Sequence, residues 1–400
     1  MTHPSFSRSI VKMRPNKSPK RVRFGYPWIY SDEVVLDRRT KKTPPGTIVE
    51  VHATDGEVLG IAAFHPDSKI TLRMLDRDAN ANVDVAWLTQ KVKTALALRE
   101  RLYDAPYYRL IHAEADGLPG VVADRFGDVI SVQPNAAWAD QMFDELAEAL
   151  MAATGASTIF KNASGRTRKL EGLDDQSGVH HGLIAAPVVV PMNGALYMAD
   201  LLEGQKTGLF FDQRDNHAFA ARLAKDCDVL DVFSHVGGFS LAALAAGAKS
   251  AFAIDGSQQA LTLAAEGAEK MGVSKLFATQ KGDAFSEMQT LIDGGRTFEV
   301  VICDPPAFAP AKPALAAGLR AYERVARLAA QLAAPGGFVG LCSCSHAASP
   351  AMFREASLRG IGKSGRAAQI LHQGTAGADH PEHAQLAESA YLKSLFVRLD

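Results

Sequence analysis

The chain has 400 residues, 47% of them hydrophobic and 22% charged, with a formal net charge of −1. That length exceeds one typical domain and implies two or three, and the composition is globular rather than disordered or fibrous. No apolar run approaches the roughly 18 residues of a membrane span. The polar, basic start has no apolar core of a secretory signal, and Cys227, Cys303, Cys342 and Cys344 lack the paired spacing of a zinc site. A reduced, cytoplasmic protein with no membrane partner is expected.

The charge is unevenly spread. Residues 1–42 hold 11 Lys/Arg against 3 Asp/Glu, and the remainder 32 against 41. Lys12, Arg14, Lys17, Lys20, Arg21 and Arg23 lie beside Phe24, Tyr26 and Trp28. Cations interleaved with aromatics fit a nucleic-acid footprint; a solvated basic arm would read the same way. Residues 1–77 form short strands, with Thr47–Val51 and Leu59–Ala63 flanking Asp55-Gly56, a hairpin signal. Ile70–Leu75 is a third strand, and the whole is a small β-barrel-like module.

Asp84 is placed to cap a helix running to Leu102, with Trp87, Leu88, Val92, Ala95, Leu98 and Leu102 at helical spacing. Val121–Asp124 and Val129–Val132 make a second hairpin about Arg125-Phe126-Gly127-Asp128. Residues 136–152 form one amphipathic helix, with Trp138, Met142, Leu146 and Leu150 on one face. Residues 78–190 are thus an α/β middle domain, whose Arg166, Arg168 and Lys169 offer either an RNA contact or solvated surface. From 191 to 400 strands and helices alternate, which implies a parallel sheet. The expected strands are 228–232, 250–254, 276–280, 298–303, 337–342, 366–371 and 391–399, with Ala195–Asp200 and Phe210–Asp212 leading into the sheet.

The chemistry gathers at the ends of those strands. Asp228–Val232 runs into Phe233-Ser234-His235-Val236-Gly237-Gly238 and an Ala- and Leu-rich helix. Paired glycines admit a ligand close to the backbone, and the helix start presents N–H groups. The dinucleotide fingerprint G-x-G-x-x-G is absent. The acid comes before the glycines, at Asp231, and Asp255 ends the next strand, suited to ribose hydroxyls. This resembles the S-adenosylmethionine (SAM) site of a class I methyltransferase. Asp283 follows the third strand and suits the adenine amino group of such a ligand. Asp304-Pro305-Pro306 follows the fourth. Its prolines fix φ and remove N–H donors, leaving carbonyls as a ledge for a flat base. Cys342 and Cys344 close the fifth strand on one face, where a thiolate is a strong nucleophile. Upstream, Phe211 and Gln213 are placed to cover the cofactor, and Lys206 and Arg214 to meet a carboxylate or phosphate.

Four segments together resemble the PUA-domain RNA cytosine-carbon-5 methyltransferases of large-subunit ribosomal RNA. They are Lys206-Thr207-Gly208 with Asp212-Gln213-Arg214, Asp231 through Phe239, Asp304-Pro305-Pro306 with Phe308, and Ser343-Cys344-Ser345. Tyr26 through Ser31, Glu114 through Gly120, Asp379-His380-Pro381 and Tyr391-Leu392-Lys393 extend the likeness over the whole chain. The resemblance implies a class I (Rossmann-like) α/β methyltransferase domain, 191–400, behind a PUA-like β-barrel, 1–77, and the α/β middle domain. It implies SAM held by Phe211, Gln213, Arg214, Asp231, Phe233, Gly237, Gly238, Asp255, Asp283, Asp304 and Pro305. It also implies Cys344 as nucleophile, Asp304 and the Pro305 carbonyl on the base edge, and structured RNA as partner; a homodimer stays open. Where the family often has Lys after Asp-Pro-Pro, this chain has Ala307, and its basic N-terminal arm is longer. The alternatives are methylation at N7 or an exocyclic amine, which needs no thiol, and a non-catalytic RNA-binding ribosome assembly factor.

Overall fold

In the computed structural model, which describes residues 8–203 and 208–400, the chain divides into two compact units. One comprises Met1–Ala185 with Asp379–Ser389, the other Ala186–Ala378 with Ala390–Asp400. The segment Asp379–Ser389, expected within the C-terminal domain, therefore belongs to the first unit.

The first unit holds two five-stranded sheets. In one, the spatial order is Ile10–Lys12, Ile48–His52, Val58–Phe64, Ile70–Asp76, Trp28–Tyr30. Val11, Ile29, Val49, Val51, Phe64 and Leu72 fill its interior. The strands Ile10–Lys12 and Trp28–Tyr30 are three residues each, too short for alternation to reveal. The other sheet contains Val121–Phe126 and Val129–Pro134 as adjacent antiparallel strands. Ile61, Ala63 and Leu75 share one buried cluster with Leu88, Leu110 and Leu146, so residues 1–77 and the following segment are joined by core.

The helix Val85–Leu102 starts where Asp84 accepts a hydrogen bond from Trp87 N at 2.9 Å. Its buried stripe is Leu88, Val92, Ala95, Leu96 and Arg99, whereas Leu98 and Leu102 are exposed. An arginine occupies the core position because its charge is matched there. Arg99 is fully buried and forks onto Asp116 at 2.6 and 2.7 Å. It also donates to the carbonyls of Arg109 and Asp379, both at 2.9 Å, which ties the returning segment down. The expected single helix over 136–152 is instead two, Ala137–Gln141 and Phe143–Thr154, broken at Met142 with φ −100° and ψ 30°. Trp138 and Phe143 are buried on either side of the break.

The second unit opens with the hairpin Val188–Met192 and Ala195–Ala199. Asn193 and Gly194, at φ 54° and 75°, make its turn, the conformation Asn-Gly favours. This hairpin is a separate two-stranded sheet and does not lead into the main one, as 195–200 was expected to. The main sheet has strands β1 (Asp228–Val232), β2 (Ser250–Asp255), β3 (Phe277–Lys281), β4 (Phe298–Cys303), β5 (Ala333–Ser343), β6 (Ala368–Gly374) and β7 (Lys393–Leu399). Their order is β3-β2-β1-β4-β5-β7-β6, parallel except that β7 runs against β5 and β6. The helices are α1 (Arg214–Leu223), α2 (Gly238–Ala245), α3 (Gln258–Lys270), α4 (Ala284–Asp293), α5 (Leu315–Leu332) and α6 (Pro350–Lys363). Val229, Leu230 and Val232 in β1, and Val300 to Cys303 in β4, are buried without alternation, as a strand covered on both faces requires. The chain reverses its direction of travel across the sheet between β1 and β4, which opens a crevice at their carboxyl ends.

Removing the carboxylate of Asp116 strands a fully buried guanidinium. Asp116→Ala should lower unfolding free energy by about 3–5 kcal/mol, read as a fall in the urea midpoint. A loss below about 1 kcal/mol would show that the carbonyl contacts of Arg99 suffice without the charge pair.

Candidate functional site

The crevice is organised by one carboxylate. Asp231 is fully buried at the end of β1, and its Oδ2 accepts from Ser240 N at 2.9 Å and Ser240 Oγ at 2.8 Å. One N–H of the first turn of α2 is therefore taken by Asp231. Burial, with a smaller contribution from nearby Asp255, pushes the Asp231 carboxyl up to about 6.

The loop between β1 and α2 holds Phe233, His235 and Gly237 at φ 63°, 49° and 79°. A left-handed conformation at a non-glycine residue costs on the order of 1–3 kcal/mol. The alternation turns Ser234 N onto Ile254 O at 3.1 Å and His235 N onto Asp255 Oδ2 at 2.9 Å. Asp255 Oδ1 accepts from Ser257 N at 2.8 Å, so this half-buried carboxylate fastens the β1 loop to the start of α3. The two glycines differ. Gly237 supplies the positive φ, whereas a Cβ on Gly238 would lie 2.6 Å from His217 Nε2. Packing against α1 thus accounts for the second glycine. His217 is buried, and burial followed by the Arg214 charge brings its imidazole down to about 3, so it stays neutral.

Several buried polar atoms border this loop without a hydrogen-bond partner: Gln213 Nε2, His217 Nδ1, Asp231 Oδ1 and Ser234 Oγ. The Gln213 amide also lies beside the Cys342 thiol, and its Oε1 accepts from Asn216 at 2.6 Å. A buried polar atom left unmatched costs about 1–3 kcal/mol. Donors and acceptors mixed in one place fit a ligand with both ammonium and carboxylate groups. Phe211 is buried in the turn before α1, with the Arg214 guanidinium 5.6 Å from its ring centroid. The aromatic that reaches the glycine loop is Phe210, whose ring packs 5.0 Å from that of His235. Lys206 lies outside the described residues.

Asp283 is exposed and caps α4, its Oδ1 accepting from Ser286 N and Oγ at 3.0 Å. Its chain neighbour Phe285 joins Phe233 and Phe308 in a triangle of rings with centroids 6.1 to 6.4 Å apart. Phe285 carried no recognisable signal, because one phenylalanine early in a helix is indistinguishable from core. Asp304 is half-buried after β4, its N–H donating to Val232 O at 3.2 Å, and Pro305 is buried.

Of the two thiols expected to close the fifth strand on one face, only Cys342 lies within β5, and their surroundings differ. Cys342 is buried against the sheet, where burial, and then the Asp304 charge, raises its thiol well above the ordinary value. Cys344 lies one residue beyond the strand and is half-buried. Its flanking serines are anchored. Ser343 Oγ donates to Tyr322 OH at 2.8 Å, Tyr322 OH and Ser345 Oγ meet at 2.7 Å, and Ser345 Oγ accepts from Ala309 N at 2.9 Å. Ala347 N donates to Ala309 O at 3.4 Å. The loop after β4 and the loop after β5 are thus tied together through Tyr322 of α5, a residue with no sequence motif of its own.

The basic N-terminal stretch is largely built into the first unit. Lys17 pairs with Asp32 at 2.6 Å, Arg21 with Glu33 at 3.1 Å, and Arg23 with Glu57 and with Asp55. Phe24 is 72% exposed beside them. Arg168 is fully buried and paired with Asp140 at 2.8 Å, so it is a structural cation and not part of a surface patch.

Comparison with known proteins matches this arrangement. Residues 11–77 match a PUA-like domain, and residues 181–398 an S-adenosylmethionine-dependent methyltransferase. A protein of Aliivibrio fischeri named ribosomal RNA large subunit methyltransferase I is 36% identical over 95% of this chain and 97% of its own. One of the same name from Shewanella denitrificans is 33% identical over 97% and 99%. A structure described as a SAM-dependent methyltransferase from Streptococcus mutans shares the fold, with a TM-score of 0.81 at 18% identity over 98% of this chain and 100% of that one. Another, described as a methyltransferase complexed with SAH, gives the same TM-score. The class is therefore a SAM-dependent methyltransferase with a PUA-like domain ahead of it. The chain belongs to the family of these methyltransferase I proteins, and its cofactor is SAM. No helix among the described residues is long and apolar enough to cross a membrane.

Gly238→Ala should lower the melting temperature, because the added methyl meets the buried imidazole of His217. Pairing it with His217→Ala should recover much of the loss. Scanning calorimetry decides this, and equal melting temperatures for Gly238→Ala and the unaltered protein would remove packing as the reason for the glycine.

Proposed function

We propose that this protein methylates carbon 5 of a cytosine in large-subunit ribosomal RNA, with Cys344 as the nucleophile. The observation that carries this reading is the half-buried Cys344, fixed by Ser343, Ser345 and Tyr322 and tied to the Asp304-Pro305 loop. The names of the relatives support the RNA class. In this reading residues 1–77 grip RNA, 78–190 form the middle domain, and 191–400 carry the chemistry. Lys12, Arg14 and Lys20, exposed and with no ion pair among the described residues, are the cations of the basic cluster available to phosphate.

Pyrimidine carbon 5 is a weak nucleophile. Addition of the Cys344 thiolate to carbon 6 makes carbon 5 enamine-like, and Asp304 with the Pro305 carbonyl holds the base edge. When bound, SAM supplies the electrophilic methyl sulfonium. Loss of the carbon-5 proton to a base then expels the thiolate. Asp231 and Asp255 would hold the cofactor on its ammonium and ribose sides, Gln213 and His217 would offer polar atoms to it, and Phe233, Phe285 and Phe308 would border its flat part. The target base must leave its stack to reach such a crevice.

Cys344→Ala should abolish methylation of ribosomal RNA while leaving SAM affinity unchanged by calorimetry, and Cys342→Ala should keep most activity. RNA with 5-fluorocytosine should trap the unaltered enzyme as a denaturant-resistant adduct, because fluorine cannot leave as a proton does. A Cys344→Ala enzyme that methylates at the normal rate would favour methylation at N7 or an exocyclic amine, for which the Asp304 ledge and the phenylalanines suffice.

The carboxyl of Asp231, pushed up to about 6 by burial, adds a pH signature. Near pH 6 it is half protonated in the free protein. A cationic ammonium favours the carboxylate, so SAM binding should release protons near pH 6 and tighten as pH rises through that value. Calorimetry in buffers of different ionisation enthalpy should show this release fading by about pH 8, where the carboxyl is already ionised in the free protein. Asp231→Asn should remove it, and release persisting in that variant would exclude Asp231 as its source.

A further inference from the structure

Beyond the nucleophile, the end of β5 has a buried cation that the reaction as described does not use. Lys393, the first residue of β7, is only 6% exposed and stands directly across the sheet from Ser343. Its Nζ donates to Ser345 O at 2.6 Å and to Ala348 O at 2.9 Å. Those carbonyls bracket the loop that starts at Cys344. Among the described residues no carboxylate pairs with this ammonium. A buried ammonium loses hydration and is costly unless a counter-charge faces it. Two carbonyl dipoles satisfy two of its three N–H donors, so one remains.

We propose that Lys393 is a positioning residue for Cys344, holding its loop through the two carbonyls and stabilising its thiolate through the ammonium charge. The inference rests on the reading of Cys344 as nucleophile. Burial lowers the Lys393 ammonium, and the group that counters this is Cys344, which places the two within electrostatic reach. The other titratable groups are weaker candidates for activating the thiol. Tyr322 of α5 also feels Cys344, but its own hydroxyl is raised by burial and it remains a neutral hydrogen-bonding group. Asp304 of the β4 loop is an anion whose charge raises the Cys303 and Cys342 thiols. His346 packs against Tyr391 at 5.6 Å between centroids and is exposed. Lys206 lies outside the described residues. The proton lost by the thiol goes to solvent, and Lys393 stays protonated, so the pair is an ammonium beside a thiolate.

The test is the pH dependence of Cys344 alkylation by iodoacetamide, read by peptide mass spectrometry on the full chain. Cys227, the other half-buried thiol, is the internal control. In the unaltered protein the Cys344 midpoint should lie below the ordinary thiol value of about 8.5. Lys393→Gln, which keeps N–H donors and loses the charge, should raise that midpoint by a unit or more and slow alkylation at pH 7 about tenfold. Lys393→Arg should restore the low midpoint, and Cys227 should not change in either variant. SAM affinity, measured on the same samples, reports folding. An unaltered-protein midpoint at or above the ordinary thiol value overturns the proposal without any variant. So does Lys393→Gln with a normal midpoint and normal SAM binding. Active Cys344→Ala enzyme would instead refute the nucleophile reading, and the alkylation result would stand apart from it.

Discussion

Asp231 is the constraint on which the catalytic unit turns. A fully buried carboxylate is unfavourable, and this one is retained because it closes the first turn of α2 onto the end of β1 through both the backbone and the hydroxyl of Ser240. That closure fixes where α2 begins. With α2 fixed, the five residues between must reverse within a short span, and they do so through three left-handed conformations, two of them not glycine. Asp255 then secures the loop from the neighbouring strand. Asp231 Oδ1, Gln213 Nε2, His217 Nδ1 and Ser234 Oγ are left without a hydrogen-bond partner in the protein. In the proposed reading a polar cofactor relieves that cost, and stability and cofactor binding are then linked through the same atoms.

The second half of the site is built on a different principle. The loops after β4 and β5 meet through neutral groups. They are joined by a hydroxyl chain, Ser343 to Tyr322 to Ser345, closed onto the backbone of Ala309. Neutral hydrogen bonds of this kind set position without imposing a field on the thiol. On the proposal made for Lys393, the field comes from β7. Position is therefore supplied from two sides, by the Tyr322 hydroxyl of α5 and by the Lys393 ammonium of β7, whereas the proposed charge comes from β7 alone.

Much of the sheet was legible because parallel strands buried on both faces are unbroken apolar runs. The strands β1, β2, β4, β5 and β7 of the main sheet lie near where Val, Ile, Leu and Phe cluster, whereas β3 is mostly polar and exposed. The strand-end acids Asp231, Asp255 and Asp304 were legible because each closes such a run, whereas Asp283 follows the polar β3 and was marked only by its Gly-Asp turn. What was not legible is where a neighbour in space, not in sequence, sets the role. Gly238 reads as a ligand cradle until His217 is found against it. Arg99 breaks an apolar stripe on paper yet sits in the core, because Asp116 waits across the unit. The helix over 136–152 reads as continuous, since nothing in Gln141-Met142-Phe143 marks the break. Tyr322 lies mid-helix with no local signature, and its role exists only because two loops meet its hydroxyl.

The same distinction governs the basic start of the chain. Net charge sets the field at distances approaching the Debye length of about 8–10 Å, and there residues 1–42 act as a strongly positive segment. At contact range what matters is which cations keep unmatched donors. Lys17, Arg21 and Arg23 already face Asp32, Glu33, Asp55 and Glu57, so a phosphate near them must compete with a carboxylate. Exposed ion pairs are worth about 0–1 kcal/mol, so that competition is cheap to win. The paired cations are thus held in place at little cost and can be surrendered to RNA. Arg168, by contrast, is fully buried between Asp140 and the carbonyl of Pro134, and its charge is committed to the fold. Counting cations therefore predicts steering toward RNA, while burial and pairing decide which of them touch it.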